Sequence, residues 1–368
     1  MNMLQEINDT LSALLEERGV DARTTYTHVT SLPPDGSVVE VEVSDPGLAD
    51  ELPRRLGLDA ERMRRLRVVV LPRSGLPEGL IAASSVADVR RLPSHASELV
   101  TQVVYGDLAI PLKQEGEWFL CQIDDGYLGW IRSWHLVESS RAGQAEFLRR
   151  CGHRVGVNHS EALTGPDPQS LPVTDLVIGT PVVAEAGGRR GWVAVELADG
   201  KRGFVRRPHI EKRPRPGAIS RTKLVATGLR FLGIPYLWGG NTPKGFDCSG
   251  LVQRIYRLHG LLLPRDSDMQ SRFGSARRSR DLDELLPGDL LFFGRVPQRI
   301  THVGMVLPDR LFLHAYGQVR VNSLDPGHAL FEPSLATDWR GARDPLGRAG
   351  HPVPGGVDTS LVTRFPKR

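Results

Sequence analysis

Residues 103–136 and 177–210 repeat one another at an offset of 74 positions, which constrains the middle of this chain more than any other feature. Trp118 falls on Trp192, Asp125 on Asp199, Gly126 on Gly200 and Gly129 on Gly203. The match continues without a gap: Trp130 meets Phe204, Arg132 meets Arg206, His135 meets His209, Leu136 meets Ile210, and Val103-Val104 meet Val177-Ile178. Each copy reads as a β-meander, with a strand opened by Trp, an Asp-Gly turn suited to a tight hairpin, and a strand closed by an aromatic. Two such copies predict two small all-β barrels rather than a solenoid. Most of their aromatics serve as core, because Trp and Phe bury so much area. The copies differ at the turn, where Tyr127 in the first corresponds to Lys201 in the second. A ligand contact through that turn therefore favours the first copy.

At about 150 residues per domain, 368 residues leave room for more than the two barrels. Leu4, Ile7, Leu11, Leu14 and Leu15 recur at helical spacing, residues 37–43 alternate like a strand, residues 45–56 open like a helix, and residues 66–71 form a β-branched run. These predict a small α/β unit over 1–90, closed by Leu92-Pro93-Ser94. The barrels then occupy 91–140 and 141–213, and a Pro-rich basic linker over 212–217 follows. From Ser220, a plausible helix cap, Leu224, Val225, Leu229 and Leu232 form an apolar stripe ended by Gly233. A second helix carries Leu251, Val252, Ile255 and Leu258, and four strand-like runs lie at 289–293, 302–307, 311–315 and 319–324. Helices followed by an antiparallel sheet predict an α+β domain over 218–345, with an irregular tail over 346–368.

Composition narrows the function classes. The net charge of +4 is weak steering for nucleic acid, and the Arg64-Arg65 and Arg277-Arg278 pairs alternate with acids or apolar residues. Charge-free stretches such as residues 231–243 fall short of the ~18 apolar residues of a membrane span. The first 20 residues lack a basic start followed by an apolar run, and three cysteines at irregular spacing argue against a disulfide framework. A cytoplasmic location is the expectation. Neither His-Glu-x-x-His nor Cys-x-x-Cys occurs, and Gly240-x-x-x-x-Gly245 is followed by Phe246 where a phosphate loop needs Lys, so no metal or other cofactor is expected.

Cys248 stands where the Gly-rich loop Gly245-Phe246-Asp247-Cys248-Ser249-Gly250 becomes a helix. Unpaired N–H groups and the helix dipole favour a thiolate there and can bring a cysteine into the range of about 3.5–7.5. Asp247 opposes this, so a cationic partner is needed. Cys121 and Cys151 read as buried structural thiols. Cysteine catalysis also needs a base and a group that orients it. If Pro308-Asp309-Arg310 is a three-residue turn, His314 faces Gly304 and His302 faces Tyr316, and the two histidines share one sheet face roughly 7–8 Å apart. A two-residue turn would put them on opposite faces.

Tyr236-Leu237-Trp238-Gly239-Gly240, Asp247-Cys248-Ser249-Gly250-Leu251-Val252, Leu263-Pro264-Arg265-Asp266, Pro287-Gly288-Asp289-Leu290, His302-Val303-Gly304 and His314-Ala315 occur in this order. Over about residues 220–345 the chain resembles the NlpC-type papain-like cell-wall peptidases, in the non-permuted arrangement. Trp118 and Gly126-Tyr127-Leu128-Gly129-Trp130 are similar to elements of bacterial SH3 domains. The resemblance implies Cys248 as nucleophile, His302 as general base and acid, and His314 as the third member. Tyr236 is either an oxyanion donor beside the nucleophile or a core aromatic, and Asp247 and Ser249 are counted with the substrate-contacting groups.

SH3 copies ahead of such a domain resemble the γ-D-glutamyl-L-diamino-acid endopeptidases, which implies a murein peptide substrate with a free N-terminal L-alanine. The ammonium then requires a carboxylate. Asp266 is the candidate on the catalytic side, and Tyr127 with either Glu98 or Asp107 on the SH3 side. Two alternatives are a non-catalytic binder of wall fragments, disfavoured because Cys248, His302 and His314 are all retained, and an amidase acting on another amide.

Overall fold

The computed structural model describes residues 3–32, 38–185, 189–214, 219–278 and 281–347. The predicted tail beyond residue 347 and part of the 212–217 linker lie outside the described residues. No helix among the described residues is long and apolar enough to cross a membrane.

The N-terminal unit packs the helix Met3–Glu17 and the helix Pro46–Leu56 against a three-stranded sheet. Ile7, Leu11 and Leu14 bury one face of the first helix against Val39, Val41, Val43, Leu48 and Leu52. Asp45 caps the second helix by accepting from the Gly47 N–H at 2.8 Å, and Gly57, at φ 56°, ends it. That helix and the short Ala60–Arg64 form the crossover joining the parallel strands Val38–Val43 and Leu66–Val70.

The N-terminal sheet ends at Val70, short of the boundary expected at residue 90. The strands Gly79–Ala82 and Val86–Arg90 join the next sheet instead, where Ala87 and Val89 alternate into its core. Leu92-Pro93-Ser94 is a hairpin connection inside that sheet, because Val86–Arg90 pairs antiparallel with Leu99–Val104. Pro and Ser mark a turn here and not a domain edge.

Both repeats form seven-stranded sheets with the same strand order. In the first the order is Leu136–Ser139, Gly79–Ala82, Leu108–Glu115, Trp118–Ile123, Leu128–Arg132, Val86–Arg90, Leu99–Val104. In the second, Ile210–Lys212, His153–Val155, Pro181–Glu185, Trp192–Glu196, Arg202–Arg206, His159–Leu163 and Pro172–Val177 occupy the equivalent places. The predicted Asp-Gly turns are present in both. Asp125 accepts from the Tyr127 N–H at 2.9 Å and Asp199 from the Lys201 N–H at 3.0 Å, with Gly126 and Gly200 at φ 84° and 81°.

The last domain is α+β. Its antiparallel sheet runs Ser275–Arg277, Trp339–Asp344, Leu290–Phe293, His302–Val306, Leu311–Tyr316, Gln318–Ser323. The helix Cys248–Leu258 lies on this sheet, with Leu251, Val252 and Ile255 packed in one core with Val303, Met305 and Leu313. The predicted four strands occur within one residue of expectation. Trp339–Asp344 was not expected, since its sequence lacks apolar alternation and only one of its residues is buried.

Candidate active site

Cys248 begins the helix Cys248–Leu258 behind Asp247, which caps it by accepting from the Gly250 N–H at 2.6 Å. Gly250 is required there, because a Cβ would stand 2.2 Å from the Gly240 carbonyl oxygen. Asp247 also accepts from the Gly239 N–H at 2.9 Å and forms an ion pair at 2.6 Å with Arg265, which is 1% exposed. Arg265 donates further to Ser249 Oγ and Thr101 Oγ1. It is the cation that the sequence required against Asp247, and it comes from the Pro264-Arg265-Asp266 motif. Asp247 and Ser249 are consequently buried and engaged internally. Both hold the loop that carries Cys248 through these internal bonds.

The hairpin register is the one expected from a three-residue turn: Met305 pairs with Leu313 and Val306 with Phe312, with Asp309 and Arg310 at positive φ. His302 and His314 therefore lie on one face, and His302 Nε2 is 2.8 Å from His314 Nδ1. A fourth member, absent from the sequence reading, completes the row: His314 Nε2 is 3.0 Å from Asn322 Oδ1, and Asn322 Nδ2 donates to the Leu330 carbonyl at 3.1 Å. That last bond fixes the Asn322 amide, so its oxygen must accept from His314 Nε2–H. Neutral His314 then presents a bare Nδ1 that accepts from His302 Nε2–H, leaving His302 Nδ1 unprotonated and ready to act as a base. Asn322 was detectable only by parity, since it shares its strand face with Arg320, the cross-strand partner of His314.

Cys248 and His302 line one cavity of about 630 Å³ together with Tyr236, Arg295, Arg299, Glu332 and Asp338. The backbone N–H groups of Val303 and Ser249 donate toward the sulfur, setting Cys248 against the strand that carries His302. Burial, reinforced by Asp247, pushes the Cys248 thiol up to about 12, and those two N–H groups only partly oppose it. Burial pushes His302 down to about 3, with His314 adding to the effect, and His314 itself down to about 4. His302 is open to the cleft along one edge, but its surroundings, including the Phe293 ring at 5.6 Å, cannot solvate an imidazolium. Both shifts favour a neutral thiol and a neutral imidazole in the free site, against the thiolate that the helix terminus favours, and attack by sulfur is then accompanied by proton transfer to His302.

Tyr236 lines the same cavity, and burial, then Cys248, raises its phenol above the ordinary value, so it keeps its O–H as a donor. Tyr127, 4% exposed, donates its hydroxyl to Asp266 Oδ2 at 2.9 Å, so the structure brings together the SH3 and catalytic-domain candidates. Glu98 accepts from Arg91 Nε at 2.6 Å and from Trp238 Nε1 at 3.0 Å, joining the same domain boundary at another point. Asp107 does not belong with them. It is paired at 2.6 Å with Arg257 on the helix that Cys248 opens and accepts from the Val104 N–H, which makes it part of the domain interface.

The NlpC/P60 family profile matches residues 233–336, and the profile described as bacterial dipeptidyl-peptidase Sh3 domain matches residues 89–136. Dipeptidyl-peptidase 6 of Lysinibacillus sphaericus is 30% identical over 268 residues, covering 70% of this chain and 96% of that protein. A γ-D-glutamyl-L-lysine dipeptidyl-peptidase of Bacillus cereus is 29% identical over 284 residues, covering 71% of this chain and 79% of that one. The crystal structure of an NlpC/P60 family protein from Bacillus cereus superposes with a TM-score of 0.63 at 22% identity, covering 73% of this chain and 99% of that one, and shares the fold. The chain belongs to the NlpC/P60 family and is a cysteine peptidase of the peptidoglycan-hydrolase kind.

Proposed function

We propose that this peptidase hydrolyses the γ-D-glutamyl–diamino acid bond of peptidoglycan-derived peptides that carry a free N-terminal L-alanine. The observation that carries this reading is the 2.9 Å contact between Tyr127 of the first SH3 unit and Asp266 of the catalytic domain. It provides a carboxylate, held at a domain boundary, for an ammonium group. An acylated stem would bury that acid against an amide with no positive charge, which penalises binding.

Cys248 Sγ attacks the γ-carbonyl carbon of D-glutamate as its proton passes to His302 Nδ1, giving a tetrahedral oxyanion that the Cys248 backbone N–H and the Tyr236 hydroxyl stabilise. Collapse breaks the C–N bond, and His302 returns the proton to the leaving amine of the diamino acid. Water, deprotonated by His302, then attacks the thioester. The new carboxylate leaves with L-Ala-D-Glu, and Sγ regains its proton. The cavity beside Cys248 receives the diamino acid, and its Arg295, Arg299, Glu332 and Asp338 suit a residue bearing both signs of charge.

A requirement for a free amine excludes stems still attached to glycan through that nitrogen, so the substrates are released fragments and the role is recycling. The three cysteines are free and buried, which supports a reducing, cytoplasmic setting. Incubation with L-Ala-γ-D-Glu-diamino acid tripeptide and with its N-acetylated form tests the reading. Release of L-Ala-D-Glu from the free tripeptide alone is expected, and equal cleavage of both would overturn the free-amine requirement.

A further inference from the structure

The N-terminal unit reaches the same carboxylate. Arg23 Nη1 donates to Asp266 Oδ2 at 2.7 Å, the oxygen that also accepts from Tyr127. The rest of the guanidinium is held in two forks, one to Asp21 at 2.6 and 2.9 Å and one to Asp268 at 2.7 and 2.8 Å. The backbone of this segment is tied to the hairpin bearing Tyr127: the Leu128 N–H donates to the Arg23 carbonyl at 2.8 Å, and Gln122 Nε2 to the Thr24 carbonyl at 3.2 Å. One residue thus fixes Tyr127 through its main chain and Asp266 through its side chain.

We infer that Arg23 is a specificity-determining positioning residue, by which the N-terminal unit completes the pocket for the substrate's terminal ammonium. The inference rests on the proposed function. Both donors fall on Oδ2, and Asp266 Oδ1 accepts no hydrogen bond among the described residues, so it has capacity for an incoming cation. Asp21, Asp266 and Asp268 face Arg23 and the more exposed Arg272, which stands 3.3 Å from Asp268 and 4.0 Å from Asp21, while Arg265 and Arg91, which also act on Asp266, are paired with Asp247 and Glu98, so an ammonium would meet a net negative group. Without Arg23 the three carboxylates repel one another, and Asp266 loses the partner that sets its rotamer.

The test compares the parent with Arg23→Ala and Arg23→Lys on the free and N-acetylated tripeptides, with Tm measured for each. Arg23→Ala is expected to raise KM for the free tripeptide about 10- to 100-fold, the range of a lost charge-assisted contact, while kcat stays within about threefold. Its preference for the free over the acetylated peptide falls with KM, and Arg23→Lys, which keeps the charge without the forks, lies between. An unchanged or lowered KM would overturn the inference, the lowered value identifying Arg23 as a plug over Asp266. A parallel loss on both peptides accompanied by a reduced Tm would equally overturn it, as a purely structural role. Cleavage of neither peptide by the parent would overturn the functional reading itself, and this inference with it.

Discussion

His302 Nε2 and His314 Nδ1 stand 2.8 Å apart, and the direction of the proton between them is set two residues away, by the Asn322 amide on the Leu330 carbonyl. A base oriented by a neutral imidazole differs from one oriented by a carboxylate, because the third member adds no negative charge to stabilise the imidazolium.

Asn322→Ala frees the His314 tautomer and with it the proton on His302. Steady-state kinetics should show kcat reduced about 10- to 100-fold with KM little changed, a loss milder than that of a direct triad member. An unaltered kcat would remove Asn322 from the relay.

Cys248→Ala should lower kcat at least about 10³-fold while leaving Tm within a few degrees, since only a sulfur atom is lost. Turnover by this variant would exclude a thioester route.

The pH dependence follows from burial. With His302 and His314 depressed to about 3 and about 4 from 6.5, the unfolded chain binds protons at these positions before the native state does. Their contribution to stability is complete above pH 6.5 and is lost as the pH falls toward 3. The Cys248 thiol, raised to about 12 from 9.0, acts in reverse, and stability declines as the pH rises from 9. Tm measured across pH 4–7 should fall less steeply in His302→Gln than in the parent. The free enzyme should be alkylated slowly by iodoacetamide at pH 7, whereas a thiolate titrating below neutrality would contradict the neutral resting pair.

Arg265→Met strands the Asp247 carboxylate in a site where it is the N-cap of the nucleophile helix. The cost is about 3–5 kcal/mol, the size found when one partner of a buried pair is removed. Chemical denaturation should show it, and adding Asp247→Asn, which keeps the cap and removes the charge, should recover part of the loss.

The juxtaposition of His302 and His314 was legible because a hairpin converts sequence spacing into a sheet face: a three-residue turn at Pro308-Asp309-Arg310 puts both histidines on one side. The repeat was legible because its Asp-Gly turns recur at equal spacing. Asn322, Arg265 and Arg23 were not assigned their roles, and the reasons differ. A single Asn in a strand has no spacing signature, Arg265 acquires its role only through a contact with Asp247, and Arg23 lies 243 positions from the aspartate it meets. The helix terminus at Cys248 is written in the sequence, whereas the depth at which its sulfur sits is a property of packing.

The second repeat has the strand order of the first, yet the tip of its Asp-Gly turn carries Lys201, paired with Asp199 at 2.7 Å. If the first tip serves the proposed pocket through Tyr127, the second is a matching scaffold that carries a different residue at that place. Drift at position 201 should leave catalysis untouched, and the second tip can be rebuilt by an engineer, for a tether or a tag, without disturbing the enzyme.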